Sequence, residues 1–194
     1  MQYVSTRTKE CERVSAAYAI KTGLAPDGGL FMPEALPAIT LAELSELLDC
    51  SYAERATYIF AKFLTDYSIT ELLADTTEAY SEARFPGGAA PIRDIDGQVT
   101  SLELWHGPTC AFKDMALQIM PRLLSRALGK TEEKREALIL VATSGDTGKA
   151  ALEGYRDVPQ IKIKVFYPVD GVSRVQKLQM QTQEGKNVDV AAIR

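Results

Sequence analysis

The sequence is poor in the residues that several common functions need. Its 194 residues hold three cysteines, Cys11, Cys50 and Cys110, an odd number with no C-x-x-C pair, which excludes a secreted disulfide framework. Histidine occurs once, at His106, so no cluster stands at zinc-ligand spacing, and no EF-hand loop is present. No structural zinc site is expected, while residue counting leaves a carboxylate-held magnesium or calcium open. Basic residues are not in excess: 22 Lys and Arg against 26 Asp and Glu give a formal charge of -4, which argues against a domain dedicated to nucleic acid. No run approaches the roughly 18 apolar residues of a membrane-spanning helix. Arg7, Lys9, Glu10, Glu12 and Arg13 interrupt the place where a secretory signal would be apolar. These absences predict a soluble, cytoplasmic chain whose partners are neither nucleic acid nor membrane.

What is present reads as two regions. Residues 1–90 carry helix patterns at about 11–21, 40–48, 53–64 and 69–80, separated by Ala25-Pro26-Asp27-Gly28-Gly29 and the Met32 to Pro37 stretch. Phe85-Pro86-Gly87-Gly88-Ala89-Ala90-Pro91 disfavours any continuing helix, and the boundary is placed there. In residues 91–194, Asp96-Gly97 suits a tight hairpin turn between Ile92–Ile95 and Val99–Leu104. A helix over about 111–128, an apolar run 137–142, a helix from about 146, a strand 161–167, a helix 173–183 and a strand 188–193 follow. Strands and helices in alternation predict an α/β region with a mostly parallel sheet covered on both faces. The aromatics Tyr3, Tyr18, Phe31 and Tyr52 are expected in the core.

Two stretches carry chemistry. From Phe112 to Leu128 apolar residues recur at spacings of three and four, so one stripe is expected to be buried. Lys113 falls at the border of that stripe, in the first turn, where burial and the positive helix end both oppose a cation. A reactive amine is one reading. A solvated ion pair with the adjacent Asp114 is the other. The second stretch, Ala142-Thr143-Ser144-Gly145-Asp146-Thr147-Gly148-Lys149, joins an apolar strand to a helix. Its free backbone N–H groups, hydroxyls and dipole suit a carboxylate or phosphate. Gly148-Lys149 is no Walker A loop, because the glycine spacing is wrong and Ala150 stands where the magnesium hydroxyl would be. Ser144 or Asp146 acting only as a helix cap is the alternative.

Together, Leu104-Trp105-His106-Gly107-Pro108-Thr109-Cys110-Ala111-Phe112-Lys113-Asp114 and Ala142 to Gly148 resemble the longer-chain threonine synthases, pyridoxal-phosphate enzymes of fold type II. Ser5-Thr6-Arg7, Ala25 to Phe31, Gly171-Val172-Ser173, Gln176 and Met180 extend the resemblance over essentially the whole chain. Thr8 departs from the glycine expected after Ser-Thr-Arg. The resemblance implies that Lys113 binds the cofactor covalently and moves protons, with Phe112 and Asp146 beside the cofactor. It further implies that Ser144, Gly145, Asp146, Thr147 and Gly148 hold the substrate carboxylate. The reaction implied is O-phospho-L-homoserine plus water giving L-threonine and phosphate.

In that family the glycine-rich cradle for the cofactor phosphate follows later in the chain. Here Gly185 is the last glycine. The sequence therefore reads as the N-terminal portion of such an enzyme, expected to be inactive alone and prone to self-association. A phospholyase that eliminates phosphate without making threonine, and a catalytically silent folding or interaction segment, are the alternatives. Cys110, inside the specific motif, reads as a small apolar residue beside a helix start.

Overall fold

A computed structural model describes residues 1–7 and 12–194. Thr8 and Cys11, both singled out above, lie outside the described residues. The chain divides into two compact units, one of residues 1–78 with 126–133, the other of 79–125 with 134–194. The change at Glu78–Ala79 precedes the Phe85 to Pro91 stretch, whose Phe85 and Ala89 are buried.

In the first unit, β1 (Tyr3–Ser5) precedes α1 (Ala16–Thr22), and β2 (Phe31–Pro33) pairs antiparallel with β1. This small sheet had no pattern to announce it, since three-residue strands show no periodicity. It brings two of the matched motifs together: the Ser5 hydroxyl donates to Asp27 Oδ1 at 2.7 Å, and Thr6 Oγ1 accepts from Leu30 N–H at 3.0 Å. The helices α2 (Leu41–Glu46), α3 (Tyr52–Phe63) and α4 (Ile69–Ala79) follow. Their starts are written in the sequence. Thr40 with Glu43 and Ser51 with Glu54 form reciprocal capping boxes, and Ser68 with Glu71 exchanges the same pair of bonds. Tyr18 and Tyr52, expected inside, are exposed at the surface. A ring with a polar or accessible end tolerates this because much of any folded surface is apolar.

In the second unit, β3 (Ile92–Asp94) and β4 (Thr100–Leu102) form the expected hairpin, with Asp96 Oδ1 accepting from Gln98 and Val99 N–H. The helix expected over 111–128 is broken. It becomes α5 (Asp114–Leu117) and α6 (Met120–Lys130), because Pro121 has no N–H to give to the carbonyl of Leu117. The buried stripe survives in α6, at Leu123, Leu124, Ala127 and Leu128. It does not reach back to Phe112, which is 62% exposed.

The remaining elements are β5 (Ala137–Ala142), α7 (Asp146–Tyr155), β6 (Ile161–Pro168), α8 (Arg174–Gln181) and β7 (Val188–Ile193). The strands form a parallel sheet in the order β5-β6-β7, in register from Ala137 opposite Ile161 to Pro168 opposite Ile193. The α/β fold with a parallel sheet is thus present. Cover on both faces is not. Ile161, Ile163, Val165 and Tyr167 are buried on one face, while Leu138 and Leu140 on the other are 58% and 62% exposed. Lys162 and Lys164 lie opposite those leucines, so this strand alternates in the manner of a half-covered sheet.

Candidate active site

Lys113 immediately precedes α5, in helical backbone conformation, and α5 packs against α7 in the second unit. Its side chain is half-buried, and Nζ lies 4.2 Å from the centroid of the Phe112 ring. The amine, expected at the border of a buried stripe, lies beside an exposed residue, because the stripe does not reach back to Phe112. The cation rests instead on the face of an exposed ring.

The ion pair with Asp114 does not form either. Asp114 is completely buried and turned the other way: Oδ2 accepts from Thr109 N–H at 2.8 Å and Oδ1 from the Thr109 hydroxyl at 2.7 Å. Upstream, Glu103 is buried and holds both His106 Nε2 at 2.7 Å and Arg93 Nε at 2.9 Å, while Trp105 stacks on the His106 ring. The His-Gly-Pro-Thr motif is therefore anchored by carboxylates at each end.

The second stretch opens α7 as expected. No side chain caps this helix: Gly145 occupies the cap position in extended backbone, and neither Ser144 nor Asp146 bonds back to the first turn. Ser144 and Asp146 are exposed, Gly145 and Thr147 half-buried. Thr143 braces the turn from inside, its hydroxyl accepting from Gly145 N–H at 3.1 Å. Gln176 on α8 donates to Asp146 Oδ1 at 2.7 Å. Gly148 is buried where a Cβ would come within 2.5 Å of Thr143 Cγ2 and 2.7 Å of Met180 Sδ. Lys149, the residue behind the Walker-like appearance, is engaged with Gln183 and lies 3.8 Å from Glu153.

Lys113, Phe112 and the 144–148 turn thus belong to one unit, on two helices that pack together. Among the described residues no hydrogen bond or ion pair joins Lys113 to the turn. Sequence reasoning missed Asp114, Glu103 and Thr143 as supports. Gln176 and Met180 belong to the resemblance, but their place against the turn depends on the return of the chain through β6 into α8.

The chain has the fold of a fold type II pyridoxal-phosphate enzyme domain in part. The crystal structure of a PLP-bound threonine synthase from Brucella melitensis superposes with a TM-score of 0.90 at 35% identity, covering 100% of this chain and 41% of that one. Residues 2–80 match the family described as threonine synthase N terminus. Threonine synthase of Pseudomonas aeruginosa is 39% identical over 197 residues, covering 100% of this chain and 40% of that protein. Human threonine synthase-like 1 is 36% identical over 95% of this chain and 26% of its own length. Over residues 2–80 the chain is similar to the N terminus of threonine synthases, and it spans about 40% of the length of the first of these relatives.

Proposed function

We propose that the chain supplies the lysine-bearing portion of a threonine synthase, which converts O-phospho-L-homoserine and water to L-threonine and phosphate. The observation that supports this is the state of Lys113: its amine faces a ring rather than a carboxylate, while its acidic neighbour is buried and committed to Thr109. Lys62 and Lys164, by contrast, are paired with Glu43 and Asp189.

The residues fit pyridoxal phosphate. Lys113 offers an uncommitted amine, Phe112 an adjacent ring, and the uncapped start of α7 offers N–H groups and hydroxyls. When bound, the cofactor supplies an electron sink for a substrate carbanion. Lys113 Nζ would hold the cofactor and, once displaced by substrate, accept and return protons on the substrate carbons. Ser144, Thr147 and the backbone of 144–148 would bind the substrate carboxylate, with the positive end of α7 favouring the anion. Asp146, held by the Gln176 amide, would order the turn around that carboxylate.

The test is borohydride trapping after incubation with pyridoxal phosphate, followed by peptide mapping. Labelling should concentrate on Lys113 and fall to the background of the other lysines in Lys113→Ala, while Lys149→Ala leaves the Lys113 label unchanged. An undiminished total of reducible adduct in the Lys113 variant sinks the assignment. The 194 residues alone should bind the cofactor weakly and form no threonine, since the cofactor phosphate has no glycine-rich cradle among them. Tight stoichiometric binding in an absorbance titration would overturn that.

A further inference from the structure

Asp114 enters the proposed role of Lys113 only as a neighbour that leaves the lysine unpaired, and its buried carboxylate has no task of its own there. A carboxylate removed from water is strongly disfavoured unless its oxygens are bonded, and burial with a cation partner is the usual remedy. Asp114 is fully buried, and among the described residues no Lys or Arg is paired with it. Both oxygens go to one residue, Thr109, through its N–H and its hydroxyl.

The geometry around this contact is tight. A Cβ on Gly107 would lie 2.5 Å from Asp114 Cβ and 2.6 Å from Oδ2, so the turn can close on the carboxylate only with glycine there. Cys110 N–H donates to Gly107 O at 3.0 Å, and Cys110 takes φ of 57°, a left-handed conformation unusual for a residue with a side chain. Asp114 N–H donates to Ala111 O at 3.0 Å, and Leu117 N–H to Lys113 O at 2.9 Å. Residues 107–110 are thereby folded back onto the first turn of α5, and the carboxylate is the clasp. With Asp114 turned inward, the next residue back, Lys113, must leave the helix about 100° away.

We infer that Asp114 is a positioning residue for Lys113: by clasping Thr109 against Gly107 it fixes the backbone from which the amine is presented and turns its own side chain away from that amine. The inference rests on the proposed role of Lys113. It predicts that loosening the clasp misdirects the amine without unfolding the chain.

The experiment compares borohydride-trapped pyridoxal phosphate at Lys113 with that at Lys149 in the same 194-residue chain, by peptide mass spectrometry. Circular dichroism confirms folding, and hydrogen exchange at the Thr109 amide reports the clasp. In the parent chain the ratio should favour Lys113. In Asp114→Ala it should fall by about tenfold, because small misplacements of a reacting group carry large rate penalties. Asp114→Asn keeps the shape and an acceptor for the Thr109 N–H and should recover most of the ratio. Thr109→Val removes only the hydroxyl bond and should give a partial fall; it decides the matter if Asp114→Ala does not fold. An unchanged ratio in a folded variant whose Thr109 amide exchanges freely overturns the inference and leaves the role of Lys113 standing. A parent chain with no preference for Lys113 overturns both.

Discussion

Lys113 and Lys149 are both lysines near helix starts, yet their surroundings separate them. Lys149 is tied to Gln183 and faces Glu153, whereas Lys113 meets only the Phe112 ring among the described contacts. Within the 144–148 turn, Asp146→Ala and Thr147→Ala should weaken phosphohomoserine binding more than cofactor binding in a cofactor-competent protein containing this chain, measured by separate titrations. Equal loss of both would mark the turn as structural only. Gly148→Ala should destabilise the chain by about 1–3 kcal/mol, since overpacking a tight site forces neighbours to shift. Thr143 and Met180 would have to move, and a thermal melt reads the result. The residue types of the site were visible in order along the sequence: a lysine after phenylalanine, and a glycine- and hydroxyl-rich turn after a strand. The direction of Asp114 was not. An aspartate beside a lysine fits an ion pair equally well, and only the path of 107–110, with Cys110 in the left-handed region, decides between them.

Among the elements, helix starts were the most legible, because a capping hydroxyl followed three residues later by glutamate is a local signal. Ser68 and Glu71 at the head of α4 show it, and there the carboxylate has a second task. Glu71 lies 2.9 Å from Lys130 Nζ and accepts from Ser68 N–H at 2.8 Å, which together draw it from its ordinary 4.5 down to about 2. A carboxyl held low in the folded state favours folding whenever it is ionised. That contribution is complete above pH 4.5 and disappears as the pH falls through about 2. Denaturant midpoints measured between these values should therefore fall with acid in the parent chain, and less steeply in Glu71→Gln. Equal slopes would remove Glu71 from the account. The break between α5 and α6 was less legible, although Pro121 marked it. The apolar spacing runs across the proline without interruption, and periodicity cannot report a missing N–H.

At the scale of the whole chain, the order of strands and helices was readable, and the cover on the sheet was not. An apolar run such as Leu138 to Val141 looks the same whether one face or two are covered. The lysines of β6 show the difference only once register places Lys162 and Lys164 opposite Leu138 and Leu140. With β5 at an edge and its leucines exposed, the chain should self-associate. Sedimentation velocity should show species larger than a monomer at micromolar concentration, reduced by Leu140→Lys; a strictly monomeric parent would refute this.

The division of α6 bears on how the chain can be dissected. Up to Ser125 this helix belongs to the second unit, and from Arg126 onward to the first. Arg126 forks onto the buried Asp75 of α4, with Nη2 at 2.9 Å from Oδ1, and Lys130 onto Glu71. A protease acting in the Phe85 to Pro91 stretch would leave an N-terminal piece that still contains Asp75 and has lost its guanidinium. Stranding a buried charge in this way is disfavoured by about 3–5 kcal/mol. The first unit is therefore discontinuous in sequence: residues 1–90 expressed alone should be poorly folded, and adding 126–133 as a separate peptide should restore protection from proteolysis.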